Sequence, residues 1–184
     1  MSKGFVVLTA VGPDRVGIVD DISGVVSHAG CNIEESKMSV LGGEFAVIML
    51  VSGPAGSVES LAESLPDLGQ KLSLHIECRG TREPSAGDKG RPYLLEAVSL
   101  DTPGIVHAVT AILRSHGINI EDLETDTGCA PWTGAPMFRM KAHLVVGPTV
   151  SVARLKEELF HLQQEQDLDI ALKPFFGAPE SGEC

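Results

Sequence analysis

Basic residues, cysteine pairs and long apolar stretches are what this 184-residue chain has least of. Lys and Arg number 14 against 25 Asp and Glu, a formal net charge of −11. Nucleic acid and anionic lipid repel such a chain at long range, so it makes a poor direct binder of either. A helix-turn-helix with a basic recognition helix is also missing. The four cysteines, Cys31, Cys78, Cys129 and Cys184, form no Cys-x-x-Cys pair, which argues against a metal or redox motif and against a disulfide framework. No apolar run approaches the roughly 20 residues of a membrane span. The start, Met-Ser-Lys-Gly-Phe-Val-Val-Leu, runs straight into a strand pattern with no small-residue cleavage site, and reads as mature cytoplasmic protein.

Catalytic signatures are missing as well. The six histidines show no zinc spacing; His107 and His116, nine apart on one expected helix, face different sides. No Gly-x-Ser-x-Gly elbow, P-loop or dinucleotide fingerprint occurs. With no nucleophile or acid–base constellation, the expectation is a protein that is not an enzyme and carries no cofactor or metal.

What the chain does contain is a near-copy of itself. Residues Gly17 to Glu34 align without a gap on Gly104 to Glu121, at an offset of 87. The identical pairs are Gly17/Gly104, Ile18/Ile105, Val19/Val106, Gly30/Gly117, Asn32/Asn119, Ile33/Ile120 and Glu34/Glu121. Average composition gives about one chance identity over such a stretch. Asp14/Asp101 extends the match upstream. Val51-Ser-Gly-Pro54 echoes Val145-Val-Gly-Pro148 at an offset of 94, which places an insertion of seven residues in the second copy, within Gly128 to Ala135. The Gly-, Pro- and charge-rich stretch between the copies reads as a linker. The expected layout is a first domain over 1–79, a linker over 80–91, a second domain over 92–175 and a flexible tail over 176–184.

Each copy reads as strand, helix, strand, strand, helix, strand. In the first, Phe5 to Val11 is an apolar, β-branched run. Ile18, Ile22, Val25, Val26 and Ala29 share one helix face, with Gly30 as the left-handed stop. Ile33 to Leu41 and Glu44 to Ser52 form a hairpin around Gly42-Gly43. Val58, Leu61 and Leu65 mark a shorter helix that Pro66 is expected to close, and Leu72 to Cys78 the last strand. The second copy repeats this pattern from Tyr93 to Pro174. The order βαββαβ predicts an α+β fold of two ferredoxin-like units, each an antiparallel sheet with two helices on one face. Phe5 to Val11 and Glu44 to Ser52 are apolar on nearly every residue, so the far face of the sheet is expected to be covered by the other copy or by a second subunit, as in a homodimer.

Ala10-Val-Gly-Pro-Asp-Arg-Val-Gly-Ile-Val19 followed by Gly30-Cys-Asn-Ile-Glu34 resembles the ACT domain, a small-molecule sensing module of amino-acid metabolism. The resemblance covers roughly residues 4 to 175. The run through Gly42-Gly-Glu-Phe-Ala-Val-Ile-Met-Leu-Val-Ser-Gly53 is similar to the glycine cleavage system transcriptional repressor family, a free-standing tandem of two ACT domains. The opening motif is also shared with the regulatory ends of phosphoserine phosphatases and formyltetrahydrofolate deformylases.

The residues point to a ligand at the loop before each first helix. Helix N-termini carry unpaired N–H groups and a partial positive charge that accept a carboxylate. Gly12, Pro13, Asp14, Arg15, Gly17 and Ile18 form that turn in the first copy, and Asp101, Thr102, Gly104 and Ile105 in the second. An Asp beside such N–H donors matches a free amino acid, which has both charges. Asn32 with Ile33, and Asn119 with Ile120, open the next strand with an amide that donates and accepts. The alternatives stay open at this stage. Asp14 and Asp101 suit helix caps, Thr102-Pro103 a helix start, and Asn after Gly a turn. The resemblance implies that residues at the Asp14 and Asn32 positions bind an effector across a domain interface. In the serine-sensing ACT domain of phosphoglycerate dehydrogenase both are Asn, so Asp14 is a departure that leaves the ligand's identity open.

Cys129 and Trp132, in the insertion, read as a contact surface for the neighbouring domain or a partner. The function expected from all this is sensing of a small amino acid, glycine among the choices. The state would pass to a protein partner, by resemblance a transcription activator. A regulatory subunit of an amino-acid-metabolism enzyme and a ligand-free interaction module remain the other two readings.

Overall fold

The computed structural model describes residues 3–83, 90–100, 102–129 and 134–175. It divides into two units, Met1–Ser85 and Ala86–Cys184. The first contains β1 (Lys3–Pro13), α1 (Ile18–His28), β2 (Asn32–Leu41), β3 (Glu44–Pro54), α2 (Ala55–Leu72) and β4 (His75–Thr81). The second contains β5 (Arg91–Leu100), α3 (Ile105–Ser115), β6 (Asn119–Cys129), β7 (Pro136–Val146), α4 (Val152–Gln166) and β8 (Asp169–Pro174). The sheets run β2-β3-β1-β4 and β6-β7-β5-β8, and every neighbouring pair is antiparallel. These are the two ferredoxin-like units of an α+β chain, as the residue pattern predicts. Among the described residues no helix is long and apolar enough to cross a membrane.

Period-2 burial builds each sheet. Val6, Leu8 and Ala10 of β1 and Phe45, Val47, Met49 and Val51 of β3 point to the helices and are buried. α1 answers with Ile18, Ile22 and Val26, and α2 with Val58, Leu61 and Leu65. Each such side chain contributes about 1.5–3 kcal/mol on burial. The second unit repeats this with Leu95, Ala97, Met140, Ala142 and Leu144 under Ile105, Val109, Leu113, Leu155 and Leu159.

The two outer faces differ. On the first sheet Val11 and Ile48 are exposed and Phe5, Val7 and Leu50 half-buried. On the second, Arg139 pairs with Asp126 at 2.8 Å and Lys173 with Glu96 at 3.4 Å. The apolar outer face read from Phe5 to Val11 and Glu44 to Ser52 is thus largely confined to the central strands of the first sheet, and the Lys3–Glu34 ion pair lies beside it.

Three local expectations need correction. Pro66 does not close its helix: α2 runs 18 residues with Pro66 inside, and ends only where Ser73 turns left-handed at φ 57. The apolar stripe continues beyond the proline through Leu68, Gly69 and Leu72, and that packing offsets the missing N–H bond. Leu72 is accordingly helical, and the last strand starts at His75. Second, the insertion is split. Leu41 pairs with Glu44 across two residues, whereas Gly128 pairs with Met137 across eight, so six extra residues lie in the hairpin. The seventh follows β7, where Gly147 and Pro148 precede the Ser151 cap of α4. Third, His116 lies one residue past α3, with Nε2 3.1 Å from a Glu158 oxygen on α4. Trp132 and the tail over 176–184 lie outside the described residues, as does the linker between 84 and 89.

Two substitutions probe these points. Pro66→Ala restores a helical N–H donor, and is expected to stabilise the first repeat by about 1–3 kcal/mol in denaturant melts. Gly12→Ala does the reverse. A Cβ there would lie 2.8 Å from both the Ser73 carbonyl oxygen and Leu74 Cδ2, so a loss of about 1–3 kcal/mol is expected in the same measurement.

Candidate functional site

The turn from β1 to α1 is built on Gly17, the helix N-cap, at φ 92. A side chain at that angle would be strained, which accounts for glycine there and for Gly104 at φ 99 in the second repeat. Neither cap residue is helped by a side chain. Asp14 is thus not a helix cap. Its backbone N–H donates to Gly43 O at 2.9 Å, which ties the loop to the β2–β3 hairpin. The exposed Asp14 carboxylate makes no hydrogen bond or ion pair among the described residues. Thr102 is not a cap either, since α3 begins at Ile105 behind Gly104. Asp101 lies outside the described residues.

The first intrahelical bond of α1 runs from Asp21 N–H to Gly17 O, so the N–H groups of Ile18, Val19 and Asp20 have no partner within the helix. The second repeat offers the same set, because Ala108 N–H bonds Gly104 O. The side chains of Ile18 and Ile105 are each 2% exposed and belong to the cores. Ile33 and Ile120 are half-buried against those cores, so Ile18 and Ile105 can reach a ligand by backbone only. Arg15 is committed: Nη2 donates to Asp21 Oδ2 at 2.6 Å and Nη1 to Val16 O at 3.1 Å. Pro13 ends β1 opposite Glu44, and Gly12 lets that strand end pass close to Ser73 and Leu74.

Asn32 stands elsewhere. It opens β2 opposite Ser52, at the end of the sheet where Lys3 meets Pro54. Asp14 follows Pro13 at the other end, nine residues along the chain from Phe5, which stands level with Asn32, or about 30 Å at strand rise. One repeat therefore does not bring Asp14 and Asn32 together. The same holds for the Gly104 turn and Asn119 in the second repeat, by the register of β5 with β7.

At the Asn32 end the structure assembles a cluster that residue spacing does not suggest. A register shift between Ile33 and Glu35 turns Glu34 toward the outer face, beside Ser52. Its carboxylate accepts from the Ser52 hydroxyl, in a short hydrogen bond, and from Lys3 Nζ at 2.9 Å. Ser52 is one of two buried polar residues in the described structure, and Glu34 is what satisfies its hydroxyl. The hydroxyl, Lys3 and Asn32 hold the Glu34 carboxyl below the usual carboxylate range. Burial instead pushes the Cys31 and Cys78 thiols up, so both stay protonated, and Cys31, Cys78 and Cys129 are free.

A depressed folded-state pKa adds stability above the unfolded carboxylate range and loses it as pH falls through the lowered folded value. Glu34→Gln lacks this contribution. Its melting temperature is expected to fall less steeply than that of the wild type between about pH 5 and pH 3, as read by circular dichroism.

Comparison with known proteins agrees with the fold. A profile of the ACT domain matches residues 4–79. The glycine cleavage system transcriptional repressor of Escherichia coli (strain K12) is 35% identical over 126 residues, which is 68% of this chain and 66% of the repressor. The match thus spans just under two thirds of that relative. The crystal structure of an unknown protein from Galdieria sulphuraria superposes with a TM-score of 0.79 at 34% identity, covering 95% of this chain and 99% of that one. A candidate glycine cleavage system transcriptional repressor superposes with a TM-score of 0.73 at 26% identity and the same coverage. Both superpositions extend over the two repeats, whereas the profile takes in only the first. The chain is therefore a tandem ACT-domain protein and a relative of the glycine cleavage system transcriptional repressors.

Proposed function

We propose that the chain is an amino-acid sensor, with glycine the foremost ligand, that signals to a protein partner in the transcriptional control of glycine and one-carbon metabolism. The observation that carries this reading is the match of the tandem to repressors named for the glycine cleavage system. The chemistry of the β1–α1 turn supports it. Unpaired N–H groups at the start of α1 suit a carboxylate, and the unpartnered Asp14 carboxylate suits an ammonium. A free α-amino acid presents both.

Asp14 and Asn32 lie at opposite ends of one sheet, so a shared site needs two ACT units. The first repeats of two copies of the chain satisfy this if their β2 strands pair antiparallel. Asn32 of one chain then faces the Leu41 end of the other. The partner subunit's Asp14 is carried there by its bond to the hairpin. Strand β2 is an edge strand of its sheet and exposes Met38, Val40 and Leu41 along it, with Val19 of α1 alongside. The equivalent positions of β6 are Thr125, Thr127 and Gly128. An apolar strand edge suits association, and a polar one does not. Effector binding at such a joint favours the paired form, and by linkage the pairing carries the signal.

Calorimetric titration with glycine, then with the other standard amino acids singly, tests the site. Asp14→Ala and Asn32→Ala are each expected to lose about 1.5–3 kcal/mol of binding, a ten- to hundredfold drop in affinity, with a smaller loss of stability. Equal affinity in both variants would remove these residues from the site. Val40→Lys is expected to turn the dimer into a monomer in light scattering. The purified chain alone is expected to give no salt-sensitive shift of promoter DNA, given its charge of −11.

A further inference from the structure

The two repeats differ in how the second helix meets the last strand. Leu61 and Leu65 of α2 correspond to Leu155 and Leu159 of α4, an offset of 94, and all four are buried. At the same offset Gly69 corresponds to Gln163, Leu74 to Leu168 and Ile76 to Ile170. In the first repeat α2 lies directly on the approach to β4. A Cβ at Gly69 would stand 2.7 Å from the Leu74 carbonyl oxygen, so only glycine fits. A glutamine cannot enter such a contact. Gln163 instead bridges helix and strand, and its Oε1 accepts from the Ile170 N–H at 3.3 Å.

Beside that bridge a surface groove of about 240 Å³ opens between α4 and β8, lined by Lys156, Leu159, Phe160, Gln163, Ile170 and Leu172. Four of the six replace Ala62, Pro66, Gly69 and Cys78 of the first repeat. The exchange enlarges the apolar walls and adds two hydrogen-bond donors. Phe160 is 56% exposed, an aromatic ring left at the rim. Lys156 makes no hydrogen bond or ion pair among the described residues. Gln163 has committed its oxygen to Ile170, so it offers its amide N–H groups. No acidic side chain lines the groove.

The edge of β8 is closed to a further strand. Phe175 N–H bonds Pro92 O, and antiparallel alternation then turns the N–H groups of Ile170 and Leu172 away from β5. Ile170 is taken by Gln163 and Pro174 has no N–H, so Leu172 is the one open donor on that edge among the described residues. One donor makes no ladder, which leaves the groove to a small molecule.

We infer that the α4–β8 groove of the second repeat binds a small apolar monocarboxylate. Its hydrocarbon part lies against Leu159, Phe160 and Leu172, and its carboxylate meets Lys156 Nζ and the Gln163 amide. Charge complementarity selects the acid, since the groove presents an ammonium and amide donors with no counter-charge of its own. A volume below the roughly 300–1,000 Å³ of drug-sized pockets limits the ligand to a few carbons beyond the carboxylate. The site is separate from the β1–α1 turn and independent of amino-acid sensing.

The probe is 4-methylpentanoate, titrated into the ¹⁵N-labelled full chain, with its uncharged amide as control. The Leu172 N–H and Gln163 side-chain signals are expected to move saturably with the acid, at a dissociation constant on the order of 1–10 mM. The amide is expected to bind at least about threefold more weakly. Lys156→Ala restores the first repeat's residue at an exposed position and is expected to weaken the acid about three- to tenfold, whereas Lys156→Arg stays within about twofold. Gln163→Gly returns the Gly69 contact and is expected to close the groove and abolish the shifts. Circular dichroism checks its fold, and Lys156→Ala decides should it unfold.

No saturable shift with the acid, equal binding of acid and amide, or wild-type affinity in Lys156→Ala overturns the site. Shifts confined to the first repeat do the same, by placing the acid there. So does concentration-dependent movement of these signals without any probe, which would put a second copy in the groove. Glycine is expected to leave these signals in place, and its failure to bind elsewhere would fall on the sensing reading and not on this one.

Discussion

Everything in each repeat depends on the antiparallel pairing of its two central strands. β1 and β3 pair along all eleven residues of each, from Lys3–Pro54 to Pro13–Glu44. That register sends Val6, Leu8, Ala10, Val47, Met49 and Val51 to the same side, where α1 and α2 cover them. A slip of one residue would turn the whole set to the opposite face. The same pairing decides what stands at each end of the sheet. It brings Gly43 to the Asp14 backbone at one end, and Ser52 to Asn32 and Lys3 at the other.

Duplication has produced two copies with one core and different surfaces. The buried positions of the second repeat follow the first closely, because a helix-covered sheet tolerates few volumes. The exposed positions have parted. The outer face of the first sheet keeps Val11 and Ile48, while that of the second carries Arg139–Asp126 and Lys173–Glu96. Strand β2 exposes Met38, Val40 and Leu41 where β6 has Thr125, Thr127 and Gly128. Surface positions cost little stability to change, so they record the tasks of the two copies where the cores cannot.

The loop and the Asn cluster show how one sheet can place polar groups at both of its ends. Glycines set the first part, since Gly17 and Gly104 allow the chain to enter the helix at an angle other residues avoid. A β-bulge sets the second, since the shift after Ile33 delivers Glu34 to Ser52. Strand ends and bulges are where a sheet can aim polar groups without giving up its core.

Much of this was legible before any coordinates. The repeat offset, the βαββαβ order and the helix faces of α1 and α3 follow from apolar spacing, and Gly30 and Gly42-Gly43 behave as stop and turn because only glycine is at ease at positive φ. Pro66 misled, because local propensity loses to a stripe of leucines that continues to be buried beyond it. The seven-residue insertion was countable, but not divisible into six and one without strand register. The site divided in the same way. Glycine, Asp and Asn at repeating positions could be read one by one, since turn chemistry is local. That Asp14 is no cap, that it stands a sheet's length from Asn32, and that Glu34 finds Ser52 and Lys3 while Glu121 finds neither were decided by tertiary structure alone. Those partners are distant in sequence, and hydrogen bonds form between neighbours in space.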